Sequence, residues 1–139
     1  MSGTKSRGLA AILGGVLLTV AVAPAALAIE NVDLKRGIAT DVSRSIDRDE
    51  ALLQRQGTAD AFASPEVIRA IQSGALGRIA VAMIDFSSPE FGRVVIDWQI
   101  VQDQASAEAL SAKIRNSPRT PGRRTSISSA LELGTLLIE

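Results

Sequence analysis

The 139-residue sequence contains no cysteine, no histidine and no tyrosine, and its aromatic residues are three phenylalanines and one tryptophan. Without cysteine the chain forms no disulfide in any compartment, so its stability has to come from an apolar core. The absence of both histidine and cysteine excludes His-assisted serine or cysteine nucleophiles and the usual zinc sites. Any metal ion that binds must therefore be held by oxygen ligands.

An excess of charge of either sign is also missing, because 15 Lys and Arg residues balance 15 Asp and Glu residues. The composition, 46% hydrophobic and 22% charged, is typical of one globular domain. A balanced charge gives no electrostatic reason to expect nucleic acid or an anionic membrane as a partner. We therefore expect neither.

The first 28 residues have the layout of a secretory signal peptide. Lys5 and Arg7 form a basic start, residues 9–22 are an apolar run, and Ala26-Leu27-Ala28 is a small-x-small cleavage motif. An uncleaved anchor is the alternative, since residues 8–29 carry no charge and are just long enough to span a bilayer. The cleavage motif favours removal of residues 1–28, export to the periplasm or the medium, and a mature domain over residues 29–139 that is not bound to a membrane.

Hydrophobic periodicity and turn residues predict an α/β order of elements in that domain. Asp47 followed by Glu50 predicts a helix start with a capping box, and Ser64-Pro65 predicts the start of a second helix. The predicted elements are a strand at 31–40, helices at 47–62 and 65–72, strands at 79–84 and 93–101, and helices at 105–114 and 127–138.

Two of these elements carry predictions about burial. Apolar and polar residues alternate along 93–101, which is typical of an antiparallel edge strand in a hairpin with its neighbour. The last helix, capped by Thr125 or Ser126, is expected to bury Leu131, Leu133 and Leu136 or Leu137.

The motif most informative about function is Asp41-Val42-Ser43-Arg44-Ser45, which supplies one carboxylate and two hydroxyls from one short loop. Hard divalent cations prefer oxygen ligands, and a loop that leaves the end of a strand can direct residues 41, 43 and 45 toward one centre. The alternative interpretation is a turn whose Asp and Ser side chains cap the helix that follows.

With the order of elements and with Thr125 opening the last helix, this motif resembles the von Willebrand factor type A domain. The sequence is also similar to an uncharacterised family of exported bacterial proteins with this domain, and the similarity covers nearly all of residues 32–139. The stretches that carry it are Asp41 to Glu50, Pro65 to Ile71, Gly77 to Val81 and Arg123 to Ser128.

The resemblance implies a doubly wound, Rossmann-like sheet with a metal-ion-dependent adhesion site. Ser43 and Ser45 would ligate Mg²⁺ directly, Asp41 would hold a metal-bound water, and Thr125 would ligate directly or through water. Mn²⁺ and Ca²⁺ remain alternatives, because selectivity depends on geometry. An acidic side chain of a partner protein would complete the coordination, so the resemblance implies a binding module that is not an enzyme.

The sequence also departs from the family pattern. The chain ends before the strand that brings a second aspartate to the site, so we expect the N-terminal half of the domain only, about three strands with flanking helices. Lys35-Arg36-Gly37 is unusual in a strand buried on both faces, and the first strand would be an exposed edge. Two alternatives follow: a non-functional remnant, and a half-domain completed by another chain. A third alternative is a metal-dependent phosphoester hydrolase, because doubly wound folds often carry anion chemistry at this edge of the sheet, with Asp41 and Asp85 as the candidate carboxylates.

Two further charged groups lie near the predicted site. Asp85 follows the second strand, where we interpret it as a solvated turn residue, with a place at the rim of the site as the alternative. The loop that holds Arg119, Arg123 and Arg124 is interpreted as solvated, with steering of an acidic partner as the alternative.

Overall fold

A computed structural model describes residues 31–139, and the predicted elements are present there in the predicted order. The predicted signal peptide, residues 1–28, lies outside the described residues. The elements are β1 (Leu34–Asp41), α1 (Arg48–Ala63), α2 (Pro65–Gln72), β2 (Ile79–Phe86), β3 (Gly92–Val101), α3 (Gln104–Asn116) and α4 (Ile127–Ile138).

The strands form one mixed sheet in the order β1-β2-β3, with β1 parallel to β2 and β2 antiparallel to β3. All eight residues of β2 are buried, because this strand has a neighbour on each side and helices over both faces. Within residues 31–139 four helices flank the sheet, which is the arrangement of an α/β, Rossmann-like half-domain. The predicted fold class is confirmed.

Local side-chain chemistry starts the helices where the sequence predicts. Asp47 accepts hydrogen bonds from the amides of Asp49 and Glu50, and the Glu50 carboxylate accepts one from the Asp47 amide, which completes the capping box. Ser64 caps α2, whose first residue is Pro65. These caps satisfy N–H groups that have no partner within the helix.

Helices α1, α2 and α3 cover one face of the sheet and α4 covers the other. The first layer encloses a continuous apolar cluster, in which the helices contribute Ala59, Phe62, Ile68, Ile71, Ala107, Leu110 and Ile114. The strands contribute Ile79, Val81, Met83, Ile96 and Val101 to the same cluster. On the opposite face the contact with α4 is close, since the Leu137 side chain lies 3.9 Å from the position that a Cβ on Gly37 would occupy.

The hairpin predicted for β3 is confirmed, but the simple alternation along it is wrong. Two register shifts, between Val81 and Met83 and between Met83 and Ile84, each insert an extra residue in β3. Because a bulge changes which face the following residues point to, Ile96 and Val101 both enter the core although five positions separate them.

The prediction that α4 buries Leu131 is wrong, because that side chain is 68% exposed, and of the two alternatives Leu136 and Leu137 it is Leu136 that is exposed, at 65%. Leu133 and Leu137 are partly buried, and Ala130 is the residue of α4 that is fully buried. Ser128, Glu132 and Thr135 mark a polar side of α4, but the apolar residues occupy a wider arc than the face that packs, so the sequence pattern could not select the buried ones. Within residues 31–139, no helix is both long enough and apolar enough to cross a membrane.

Candidate metal centre

The Asp-x-Ser-x-Ser loop begins at the carboxyl end of β1. Asp41 is the last residue of the strand, and the Val42 amide still donates to the carbonyl of Phe86 at 3.0 Å. The chain then turns, because the Ser43 amide donates to Oδ1 of Asp41 at 2.7 Å and the Ile46 amide donates to the Ser43 carbonyl at 3.1 Å. The aspartate carboxylate therefore organises the loop that carries the two serines.

The two serine hydroxyls lie side by side, with 3.0 Å between the Oγ atoms of Ser43 and Ser45. Ser43 is buried, with 2% of its surface exposed, and Ser45 is open to solvent. The interior hydroxyl is therefore held in place by its surroundings, while the outer one borders the solvent.

Thr125 joins this group from the far end of the chain. Its Oγ1 donates to Oδ2 of Asp41 at 3.1 Å, so each oxygen of that carboxylate has one partner. Thr125 comes just before Ser126, the residue that caps α4. The structure therefore brings together all four predicted site residues, in a hydrogen-bonded series from Thr125 through Asp41 to the loop of Ser43 and Ser45.

The segment 117–126 crosses over the carboxyl ends of β1 and β2 and places Thr125. The Gly122 amide donates to the Val42 carbonyl at 2.8 Å. A Cβ added at Gly122 would overlap the Ser87 side chain, which is fully buried. Only glycine allows the segment to approach the end of β2 this closely.

The donor set fits a small hard cation. Octahedral Mg²⁺ has ligands at about 2.1 Å, so neighbouring ligand oxygens are about 3 Å apart. The Ser43–Ser45 oxygen separation has this value. Residues 31–139 contain no group of three or more Asp, Glu, His or Cys side chains that could hold a metal ion, so a cation here would depend on hydroxyls and one carboxylate.

Asp85 does not lie in solvent, and the interpretation as a turn residue is wrong. Strand β2 is two residues longer than predicted and includes Asp85, which is 0% exposed. Arg55 of α1 donates from Nη2 to both carboxylate oxygens at 2.6 and 2.7 Å, and its Nη1 lies 3.0 Å from Sδ of Met83. This aspartate is therefore committed to an ion pair and is not available as a second carboxylate for a hydrolase.

Sequence reasoning missed Arg55, although a signal was present. Arg55 lies on the same helix stripe as Ala51, Ala59 and Phe62, all of which are buried. A cation on the apolar stripe of a helix and an acid at the end of an apolar strand are candidates for an ion pair, because buried charges require partners.

Two more arginines surround the ion pair. Burial raises the pKa of the Asp85 carboxyl above its usual value, and the guanidinium groups of Arg55, Arg93 and Arg119 oppose that rise. Arg119 donates from Nη2 to the Ile46 carbonyl at 2.7 Å, and Arg93 donates from Nη2 to the Pro118 carbonyl at 3.0 Å. These bonds fasten the 117–126 segment to β3 and to the loop that follows β1.

The interpretation of this arginine-rich loop as solvated is therefore wrong for Arg119. Its Nε and that of Arg93 are both buried and have no hydrogen-bond partner among residues 31–139. Arg123 and Arg124 are exposed, as expected. The loop thus has an anchored half and a half that faces solvent beside Thr125.

No curated protein matches this chain. A family described as "Protein of unknown function (DUF1194)" matches residues 31–139, which is most of the chain. The chain belongs to this family of proteins of unknown function.

Proposed function

We propose that the chain is an exported binding module of the von Willebrand factor type A kind, which captures an acidic side chain of a partner protein through a divalent cation. The observation that carries the proposal is the single hydrogen-bonded group formed by Asp41, Ser43, Ser45 and Thr125. These residues come from segments 80 positions apart, so their meeting is not explained by a local turn alone.

The residues have distinct roles in this proposal. Ser43 and Ser45 would hold Mg²⁺ or Mn²⁺ through their hydroxyls, Asp41 would hold a metal-bound water, and Thr125 would ligate directly or through water. A bound divalent cation supplies a Lewis-acidic position for an anionic oxygen. Because three of the four protein groups are neutral hydroxyls, the ion keeps most of its charge and favours a carboxylate from outside.

The charges around the site support an anionic partner. Arg55, Arg93 and Arg119 outnumber the single buried Asp85 beneath the loop, and Arg123 and Arg124 lie on the solvent side next to Thr125. Positive charge close by weakens cation binding and strengthens carboxylate binding. A bound cation and a carboxylate also attract each other directly, so we expect the metal and the acidic partner to bind more tightly together than either binds alone.

Binding of an acidic peptide tests this proposal. A fluorescently labelled peptide with one central glutamate should show saturable binding by anisotropy in Mg²⁺ and none after chelation with EDTA. The same peptide with glutamine should not bind, because its amide carries no charge. Binding that is unchanged by EDTA, or equal for the two peptides, would refute a metal-dependent capture of a carboxylate.

A further inference from the structure

Strand β1 presents an open edge beside an apolar trough. Among residues 31–139 β1 pairs only with β2, so its other edge has backbone N–H and C=O groups that no strand in this part of the chain satisfies. Such an edge is a template for pairing with another strand. Leu34, at the start of β1, is 50% exposed.

The trough runs along this edge on the face covered by α1 and α2. Its volume is about 710 Å³, and β1 contributes Leu34, Arg36 and Ile38 to its wall. The opposite wall is apolar and includes Phe62, Val67 and Ile71. A second strand next to β1 would direct alternate side chains toward the open side of this trough.

The occupant that fits best is a second copy of β1, running antiparallel. In an antiparallel pair, residues that exchange hydrogen bonds must both direct their backbone groups across the new interface. The N–H and C=O groups of successive residues point to opposite edges of a strand, so only the even-numbered or only the odd-numbered residues of β1 face its open edge. The second strand is identical, so two opposed residues must both be even-numbered or both be odd-numbered. The two-fold axis therefore passes through a residue and not between two residues.

Charge selects one residue for that axis. With the axis at Ile38, Lys35 of each copy lies opposite Asp41 of the other, which gives two symmetric ion pairs at the two ends of the interface. An axis at residue 37 opposes Asp33 to Asp41, and an axis at residue 35 or 36 opposes Lys35 or Arg36 to itself. Directly opposed like charges are destabilising, whereas opposed unlike charges stabilise a strand pair.

We propose that two copies of the chain pair through β1 around an axis at Ile38, so that the two three-stranded sheets of residues 31–139 join into one continuous sheet. Ile38 of each copy then lies against Ile38 of the other, on the trough side of the sheet. The interface differs from completion of the domain by a different polypeptide, because the complementary charges, Lys35 and Asp41, are on the same strand.

Disulfide trapping tests the register directly, since the chain has no cysteine of its own. Directly opposed residues in an antiparallel pair have Cα atoms about 4.5 to 5.5 Å apart, within the range that a disulfide spans. Ile38→Cys should therefore give a covalent dimer on mild oxidation of the full chain. Leu34→Cys is the control, because residue 34 is on the same face of β1 as residue 38. Each copy of residue 34 would lie four positions from the axis, so the two copies would be about 27 Å apart at about 3.4 Å per residue.

The dimer dissociation constant of the full chain with no introduced cysteine, measured by sedimentation, completes the test. Wild type should be dimeric, and Lys35→Glu should raise the dimer dissociation constant by about tenfold or more, because it places two acids opposite each other. Lys113→Glu, the same change on the exposed side of α3, should have no effect, and circular dichroism should show that both variants are folded. A monomeric wild type, equal trapping at positions 34 and 38, or equal dissociation constants for the two charge variants would overturn the proposal.

Discussion

Arg55 and Asp85 form a fully enclosed ion pair just beneath the predicted metal site. The pair joins α1 to the central strand β2, and each partner needs the other because removal of one leaves an unpaired charge in the core. The pair is a structural support for the loops above it, and its loss should be costly.

We expect Arg55→Met to lower the free energy of unfolding by about 3 to 5 kcal/mol at neutral pH, since the Asp85 carboxylate then remains buried without its cation. The double variant Arg55→Met/Asp85→Leu should recover most of this loss, because no charge is left in the core. Denaturant unfolding followed by circular dichroism measures both. A double variant as unstable as the single one would show that packing by Arg55, and not its charge, is what matters.

The loss in Arg55→Met should also depend on pH. Burial raises the pKa of Asp85, so the folded chain binds that proton more tightly than the unfolded chain. Stability from such a group is present below the unfolded pKa and is lost as the pH rises through the folded pKa. Without Arg55 that pKa rises further, so the variant should approach wild-type stability as the pH falls from 7 toward the unfolded value. A stability difference that does not change with pH would contradict this account.

Residue-scale prediction from the sequence was uneven for a physical reason. The meeting of the four residues could be predicted, because Asp41, Ser43 and Ser45 are neighbours and Thr125 precedes a recognisable helix start. The pairing of Asp85 with Arg55 depends on a contact across 30 positions, and the sequence indicates only that each charge stands among apolar residues, not which charge is its partner.

At the scale of elements, the segment 117–126 decides whether the four site residues meet. Arg119 and Gly122 fasten it at two points, to the Ile46 carbonyl and to the Val42 carbonyl. The absence of a side chain at Gly122 is what allows it to lie on the buried Ser87. The geometry of Thr125 therefore depends on a residue that is not one of the four site residues.

Gly122→Ala should destabilise the fold by about 1 to 3 kcal/mol, the usual cost of forcing a methyl group into a packed region, and should displace Thr125. Gly57→Ala is the matched control. A Cβ there meets nothing within 4 Å, and the change in the middle of α1 should stabilise by about 0.5 to 1 kcal/mol. Thermal unfolding of both variants measures the contrast, and a Gly122→Ala variant as stable as wild type would show that the segment is not closely packed.

Helix starts were predicted well and burial poorly, and the two depend on different information. A cap such as Asp47 with Glu50 is a contact between residues three positions apart, so the sequence contains both partners side by side. The buried residues of α4 and the bulges of β3 are selected by the sheet against which they pack. Ala130 is buried instead of Leu131 because of the position of α4 on the sheet, which no pattern within the helix specifies.

At the scale of the whole molecule, the candidate metal centre and the open edge are on the same strand. Asp41 ends β1 at the loop of Ser43 and Ser45, and it also lies opposite Lys35 in the proposed pairing of two copies. Each oxygen of its carboxylate has one partner, which leaves acceptor capacity for a further contact. A dimer of this kind would place two candidate metal centres at the two ends of one interface.

Calorimetric titration of the purified full chain with Mg²⁺ or Mn²⁺ tests the central claim most directly. We expect saturable binding of one ion per chain, and at least about a tenfold loss of affinity in Ser43→Ala, because a buried ligand hydroxyl is removed. Ser73→Ala, a serine at the exposed end of α2, should bind as wild type does. If wild type and Ser43→Ala give the same isotherm, or if neither gives any heat of binding, then Asp41, Ser43, Ser45 and Thr125 do not form a metal site.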